Sequence, residues 1–293
     1  VTDVGPHDAA APVGPPPGPY VDLHAHTTAS DGLAAPEALV AAALAADLSA
    51  IAVTDHDTVA GVAPAAAAAA GHALEIVAGV ELSCSDDRRE VHLLGLCLTD
   101  LEPMHVVLEE ARRTREVRGA EMVERLNRLG IPVTHEMVAA EAGEGNVGRP
   151  HVARAVVAGG WVPTVREVFD KYLGDGRPAC VDRPKLTLPE AIALVHRAGG
   201  VAVWAHPGSE GTREKVARYV ALGLDGLEVR HPSHPAPDLE RLARFCDEFG
   251  LVRSGGSDWH GEPETWKPLG CQHVPAPWLD QLRERAALRA AAA

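Results

Sequence analysis

The stretch YVDLHAHTTASDG (residues 20–32) decides the fold. Its apolar start, Tyr20–Leu23, reads as a short strand that runs directly into His24-Ala25-His26. The same order recurs along the chain. Ala50–Val53 leads into Thr54-Asp55-His56-Asp57, and Ile76–Val80 leads into Glu81. Val201–Trp204 leads into Ala205-His206-Pro207, and Leu251–Ser254 leads into Gly255-Gly256-Ser257-Asp258-Trp259-His260. Further strands are expected at His92–Cys97 and Gly226–Val229. Helices are expected at Pro36–Asp47, Thr58–Ala70, Leu188–Ala198, Glu210–Leu222 and Asp238–Phe249. Strands alternating with helices predict an α/β fold of parallel βα units, a barrel or an open sheet. In such folds the C-terminal strand ends meet at one face, where loops carry function.

Residues 101–180 break this rhythm. A long charged helix over Glu102–Leu129 is expected there, then helices at Thr134–Ala142, Arg149–Ala158 and Thr164–Tyr172, with no convincing strand. The stretch reads as an all-helical subdomain inserted between two parts of the α/β body, 20–100 and 181–286. Residues 1–19 are Pro, Gly and Ala without apolar periodicity, and read as a flexible arm. The Ala-rich tail 287–293 reads as dispensable.

The chain has 293 residues, 46% of them hydrophobic, a globular composition that a length prior divides into one or two domains. Its 27 basic and 41 acidic side chains give a formal charge of −14, which argues against salt-driven binding to duplex DNA or an anionic membrane. No apolar run reaches membrane-spanning length and no signal-peptide pattern is seen. The five cysteines form no CxxC pair and read as reduced thiols, so a cytoplasmic protein is expected. Fifteen histidines are the informative excess.

His24 and His26 stand two apart on one strand, so both point to one face and can reach one ion. Asp258 and His260 repeat that spacing, flanked by glycines that permit close approach. His56 is a candidate ligand with Asp55 and Asp57 as supports, since metal-bound histidines hand their second N–H to a carboxylate or carbonyl. Asp57 serves equally as a cap for the helix from Thr58. Glu81, expected at a strand end, can bridge two cations through its two oxygens. Asp31, His92 and His206 complete the set. Histidine and carboxylate without cysteine suit Zn²⁺, Mn²⁺ or Fe²⁺. Nine candidates exceed one tetrahedral ion, so two or three divalent ions sharing a carboxylate are expected. Such clusters make hydroxide at neutral pH and clamp the oxygens of a displacement at phosphorus.

HAHTTASDG (24–32), TDHDT (54–58), GVELS (79–83), AHPG (205–208) and GSDWHG (256–261) together resemble the PHP family, named for polymerase and histidinol phosphatase. The resemblance implies a distorted (β/α)7 barrel with a trinuclear metal site at the strand C-termini. By motif, one ion would take His24, His26, Glu81 and Asp258, a second Glu81, His92 and His206, and a third Asp31, His56 and His260. The Ser-Asp-Gly form at Asp31 is similar to a bacterial branch of 3′,5′-nucleoside bisphosphate phosphatases and 5′→3′ exonucleases on short RNA. GRPHVARAVV (148–157), KYLGDGRPA (171–179) and EVRHPSH (228–234) resemble signatures of that branch. Arg149, His151, Lys171, Arg177, His231 and His234 would offer donors to phosphate oxygens, with Arg149 and His231 leading. Cys180 and Arg230 depart from the branch, which bears on base or leaving-group preference.

The resemblance thus implies metal-dependent hydrolysis of a phosphate monoester, with a 3′,5′-nucleoside bisphosphate as leading substrate. His231 or a metal-held water would protonate the leaving oxygen. The alternatives are a 5′→3′ exonuclease on short oligonucleotides, another phosphatase such as one for histidinol phosphate, and a metal-binding regulatory module without turnover.

Overall fold

The computed structural model describes residues 18–87, 89–142, 148–174, 176–181, 186–261 and 267–292. The arm expected at 1–19 lies outside them apart from its last two residues. The fold is mixed α/β, and its strands form two sheets. The first half runs β1 (Tyr20–Asp22), α1 (Pro36–Ala45), β2 (Leu48–Val53), α2 (Val62–Ala68), β3 (Glu75–Ala78), β4 (Val80–Asp86) and β5 (Arg89–Leu96). Helices α3 (Glu102–Arg128), α4 (His135–Ala142), α5 (Arg149–Ala158) and α6 (Val165–Val168) follow, with a π-helical turn at Phe169–Leu173. The chain returns through β6 (Leu186–Thr187), α7 (Leu188–Arg197), β7 (Val201–Trp204), a 3-10 turn (Gly208–Glu210), α8 (Arg213–Ala221), β8 (Gly226–Arg230), α9 (Ala236–Phe249) and β9 (Val252–Gly255). It ends on β10 (Val274–Pro275) and α10 (Ala276–Ala292).

One sheet has the order β10-β1-β2-β3 and the other β6-β4-β5-β7-β8-β9. The expected parallel pairing holds within β1-β2-β3 and within β7-β8-β9. It fails between them. β4 and β5 pair antiparallel from Val80↔Gly95 to Asp86↔Arg89, because two residues join them and so short a connection can only turn the chain back. β5 then pairs antiparallel with β7. The expected strand Ile76–Val80 is also divided: β3 stops at Ala78 and β4 starts at Val80. Gly79 sits at the break, where a Cβ would lie 2.9 Å from Thr54 Cγ2. Glu81 is therefore the second residue of a strand, and His92 the fourth residue of the next.

Backbone hydrogen bonds join the two sheets in two places. On one side Leu23 N donates to Gly255 O, Asp258 N to His24 O and His26 N to Trp259 O. On the other, Glu81 N donates to Asp55 O and Asp57 N to Glu81 O. A shared apolar interior follows. Val21 and Leu23, Ala50 and Ala52, Leu94 and Leu96, and Val201 and Val203 come from strands of both sheets and pack into one cluster with Leu279 and Leu282 of α10. Their spacing of two puts each pair on one strand face.

Between Leu96 and Leu186 the described elements are helical. Met122, Val123 and Leu126 of α3 form a core of their own with Val138, Val152, Val156, Val168 and Leu173. Met104 and Leu108, from the start of α3, belong instead to the main core. One helix thus takes part in both cores. Among the described residues no helix is long and apolar enough to cross a membrane.

The C-terminal helix differs from the expected tail. It was illegible because alanine carries little periodicity, yet it is helical to Ala292. Arg289 Nε donates to Asp225 Oδ1 at 2.6 Å and Nη2 to Gly223 O at 2.9 Å. Asp225 is fully buried and also accepts from Ala202 N at 3.0 Å and meets His196 Nε2 at 2.8 Å. Arg289→Ala is expected to cost roughly 1–2 kcal/mol, a charge-assisted bond discounted for the partial exposure of Arg289. Thermal denaturation should show a fall of a few degrees; an unchanged midpoint would show the contact to be inert.

Candidate metal centre

Strand β1 runs out at Asp22, and the next residues carry His24 and His26, both fully buried. Asp22 holds this segment against the strand β9 side, accepting from Ser257 N at 3.0 Å and Gly270 N at 2.8 Å. Gly256 makes the approach possible, since a Cβ there would fall 2.5 Å from His24 N. The following turn is closed by Asp55, which accepts from Thr27 N (2.7 Å), Thr27 Oγ1 (2.8 Å) and Ser30 Oγ (2.8 Å). That turn presents Asp31 to His26 Nδ1 at 3.6 Å, His260 Nε2 at 3.4 Å and His56 Nε2 at 3.9 Å. Asp57 accepts from Ser83 N at 2.9 Å; α2 begins only at Val62, beyond the reach of a cap at Asp57.

Glu81 stands at the centre, with 1% of its surface exposed. Its Oε1 faces His92 Nδ1 at 2.9 Å and His206 Nε2 at 3.0 Å. Its Oε2 faces His24 Nε2 at 3.1 Å, His26 Nε2 at 3.3 Å and His56 Nδ1 at 3.3 Å. Only His24 and His206 make hydrogen bonds to it. The buried atoms His26 Nδ1, His26 Nε2, His56 Nδ1 and His92 Nδ1 have no hydrogen-bond partner. Buried polar atoms are normally paired, so nitrogens left bare beside carboxylate oxygens fit a bound cation. Three groups have ligand atoms close enough to share an ion: His24, His26, Glu81 and Asp258; His26, Asp31, His56 and His260; and His56, Glu81 and His92. The first matches the expected set, and the second adds His26 to it. In the third, His56 stands where His206 was expected; His206 stays hydrogen-bonded to the same Glu81 oxygen.

A further carboxylate escaped the sequence reading. Glu228, fully buried in β8, meets His24 Nδ1 at 2.9 Å and accepts from His206 N at 2.6 Å. The available signal was an acid inside the apolar run GLEVR (226–230). Burial alone would raise its pKa, but His24 and His231 outweigh it and hold the carboxyl at about 2. Burial likewise disfavours charge on His26, yet Asp258 and Glu81 raise it to about 9. Strained backbone occurs here too. Asp57, His206 and Asp258 have φ of 50°, 31° and 53°, left-handed values that non-glycine residues hold only when the surroundings enforce them.

The expected phosphate donors divide. His231 joins the cluster, with Nε2 3.3 Å from Asp258 Oδ2. His234 does not offer a donor: Nδ1 meets Val229 O at 2.9 Å and Nε2 accepts from Gly208 N at 3.0 Å, so both ring nitrogens are used by backbone. His151 caps α5, its Nδ1 accepting from Gly148 N at 2.9 Å. Lys171 is exposed and paired with Glu167 at 2.8 Å, and Arg177 is exposed. Arg149 opens α5 with Nη1 3.8 Å from Cys180 Sγ. Arg230 donates to Gln272 O at 3.0 Å and lies over the Trp278 ring, a packing role. Lys267, unmarked by any sequence motif, places Nζ 2.9 Å from Asp258 Oδ2. A cleft of about 360 Å³ opens beside His92 and His206, walled by Trp204 and Pro207 with Glu90 and Glu210 at its lining.

Comparison with known proteins fits this architecture. The PHP domain matches residues 22–133. A 5′-3′ exoribonuclease of Haemophilus influenzae is 37% identical over 255 residues, covering 85% of this chain and 92% of that protein. A 3′,5′-nucleoside bisphosphate phosphatase of Chromobacterium violaceum is 35% identical over 257 residues, covering 85% and 90%. A Bifidobacterium adolescentis crystal structure, assigned as a metal-dependent phosphoesterase, superposes with a TM-score of 0.76 at 34% identity, covering 92% of this chain and 97% of that one. The site and the fold are those of a metal-dependent phosphoric ester hydrolase. The chain belongs to the PHP family. That class sets aside the reading as a module without turnover.

In the metal-free protein His26 carries its proton at pH 7, since it titrates at about 9. A metal must displace that proton, so affinity rises with pH up to about 9, by about tenfold per unit for each proton released. Calorimetry of Zn²⁺ binding at pH 7 in buffers of different ionisation heat should report net proton release. Heats independent of the buffer would contradict the assignment of His26 as a ligand.

Proposed function

We propose that the chain hydrolyses a phosphate monoester of a small nucleotide, with a 3′,5′-nucleoside bisphosphate as leading substrate. The observation that carries this reading is the ring of buried, hydrogen-bond-orphaned imidazole nitrogens around both oxygens of Glu81. We read His24, His26, Asp31, His56, Glu81, His92, His206, Asp258 and His260 as holding two or three divalent ions, Mn²⁺, Zn²⁺ or Fe²⁺. We also read the two sheets as one distorted (β/α)7 barrel. The backbone bonds that join the two sheets and the interior shared by strands of both support that reading. The five free cysteines suit a reducing, cytoplasmic setting.

When bound, the ions supply Lewis-acid polarisation of the phosphoryl oxygens and bring the pKa of water near neutrality. The chain's own residues do the rest. Ser233 N donates to His231 Nδ1 at 3.1 Å, which assigns the His231 proton to Nε2. His231 Nε2–H therefore points into the cluster, where it can donate a hydrogen bond to the leaving oxygen, which takes its proton from water. Glu228 fixes the ring of His24 through Nδ1 and holds the backbone of His206. Arg149 is our choice for a phosphate oxygen, as the arginine that opens α5 beside Cys180. The cleft beside His92 and His206 has the volume of a small-molecule site.

The second reading is a 5′→3′ exonuclease on short oligonucleotides, favoured by the identity to the Haemophilus influenzae exoribonuclease. The test is phosphate and nucleotide release from a 3′,5′-bisphosphonucleotide, AMP and a 5′-phosphorylated dinucleotide with Mn²⁺ supplied. The bisphosphate should turn over fastest, and Arg149→Ala should raise its KM roughly ten- to hundredfold, the loss of one charge-assisted contact. Mononucleotide release from the dinucleotide without turnover of the bisphosphate would overturn the leading reading in favour of the second. Turnover of neither would reject nucleotides as the substrate class.

A further inference from the structure

The two central carboxylates are used in different ways. Glu81 turns both oxygens toward imidazoles. Asp258 turns only one toward imidazoles of the candidate ligand set: Oδ1 faces His26 Nε2 at 3.3 Å and His24 Nε2 at 3.5 Å. Its Oδ2 is taken by two side-chain donors, Lys267 Nζ at 2.9 Å and His231 Nε2 at 3.3 Å. The lysine contact is the shorter and is charge-assisted. Asp258 is 16% exposed and its backbone is fixed at a left-handed φ of 53°, so the carboxylate's remaining freedom is rotation about its own side chain. An unrestrained carboxylate can chelate one ion with both oxygens and take a coordination place that the reaction needs open.

We infer that Lys267 is a positioning residue of the metal centre, which with His231 holds Oδ2 of Asp258 away from the ion and keeps that ligand monodentate. The inference rests on the reading of His24, His26, Glu81 and Asp258 as one ion's ligands. Lys267 acts through Asp258, and the substrate's phosphate is met by other groups.

The experiment loads the protein and its Lys267→Met and Lys267→Arg variants with Co²⁺ and records the visible ligand-field bands, alongside kcat and KM for the best substrate. For Lys267→Met the expected result is full metal loading with weakened and shifted bands, reporting a higher coordination number. With it, kcat should fall at least tenfold at a nearly constant KM, within the range for removal of a ligand's supporting partner. Lys267→Arg keeps the charge and donors and should recover the wild-type spectrum. Bands and kcat unchanged in Lys267→Met would overturn the inference. A raised KM with an unchanged spectrum would also overturn it, showing direct contact with substrate. Wild-type protein that takes up no Co²⁺ would overturn the metal reading beneath it, and the inference with it.

Discussion

A carboxylate sealed from water and faced by five imidazoles is the constraint around which this molecule is built. Burying the charge of Glu81 without partners would cost several kcal/mol, and hydrogen bonds from His24 and His206 alone leave the other three rings uncompensated. The arrangement makes sense as half of a site whose other half is cationic. In its absence the protons stand in: burial works against charge on His24, but Glu228 and Glu81 outweigh it and raise its pKa well above the usual value.

The supporting structure explains why such a cluster can persist. Several parts of the site are held in place by further buried carboxylates. Glu228 fixes His24, Asp55 closes the turn bearing Asp31, Asp57 ties the loop after β2 to β4, and Asp22 draws the β9 loop toward β1. The two sheets are joined at these same places, so the contact between the sheets and the assembly of the site use the same backbone bonds. Strained backbone at Asp57, His206 and Asp258 is sustained because these bonds over-determine it. A rigid frame of this kind keeps like-charged groups close and lowers the reorganisation needed when charge develops at phosphorus.

Much of this was legible in the sequence because strands announce themselves as short apolar runs and their polar successors stand out. His24, His26, His56, His206, Asp258 and His260 were all found that way, and the structure brings them together with Asp31, Glu81 and His92. The strand assigned to end at Glu81 was illegible in detail, since apolar alternation does not say which way a strand runs or where a hairpin turns. Glu228 was missed because one acid in an apolar strand looks like noise until its partners are known. Lys267 was missed because a loop lysine has no periodicity to betray it. His234 looks like a donor in sequence, yet both of its ring nitrogens are used by backbone, and His151 spends its Nδ1 on capping α5. Alanine hid α10 for the opposite reason, being compatible with everything.

The account stands on Glu81 serving two cations at once. The direct measurement is anomalous scattering at the zinc edge from a crystal grown with Zn²⁺. The account predicts separate peaks on the two sides of Glu81, one within roughly 2.0–2.2 Å of Oε1 and another within that distance of Oε2. A single ion chelated by both oxygens, or peaks that avoid Glu81 altogether, would contradict it.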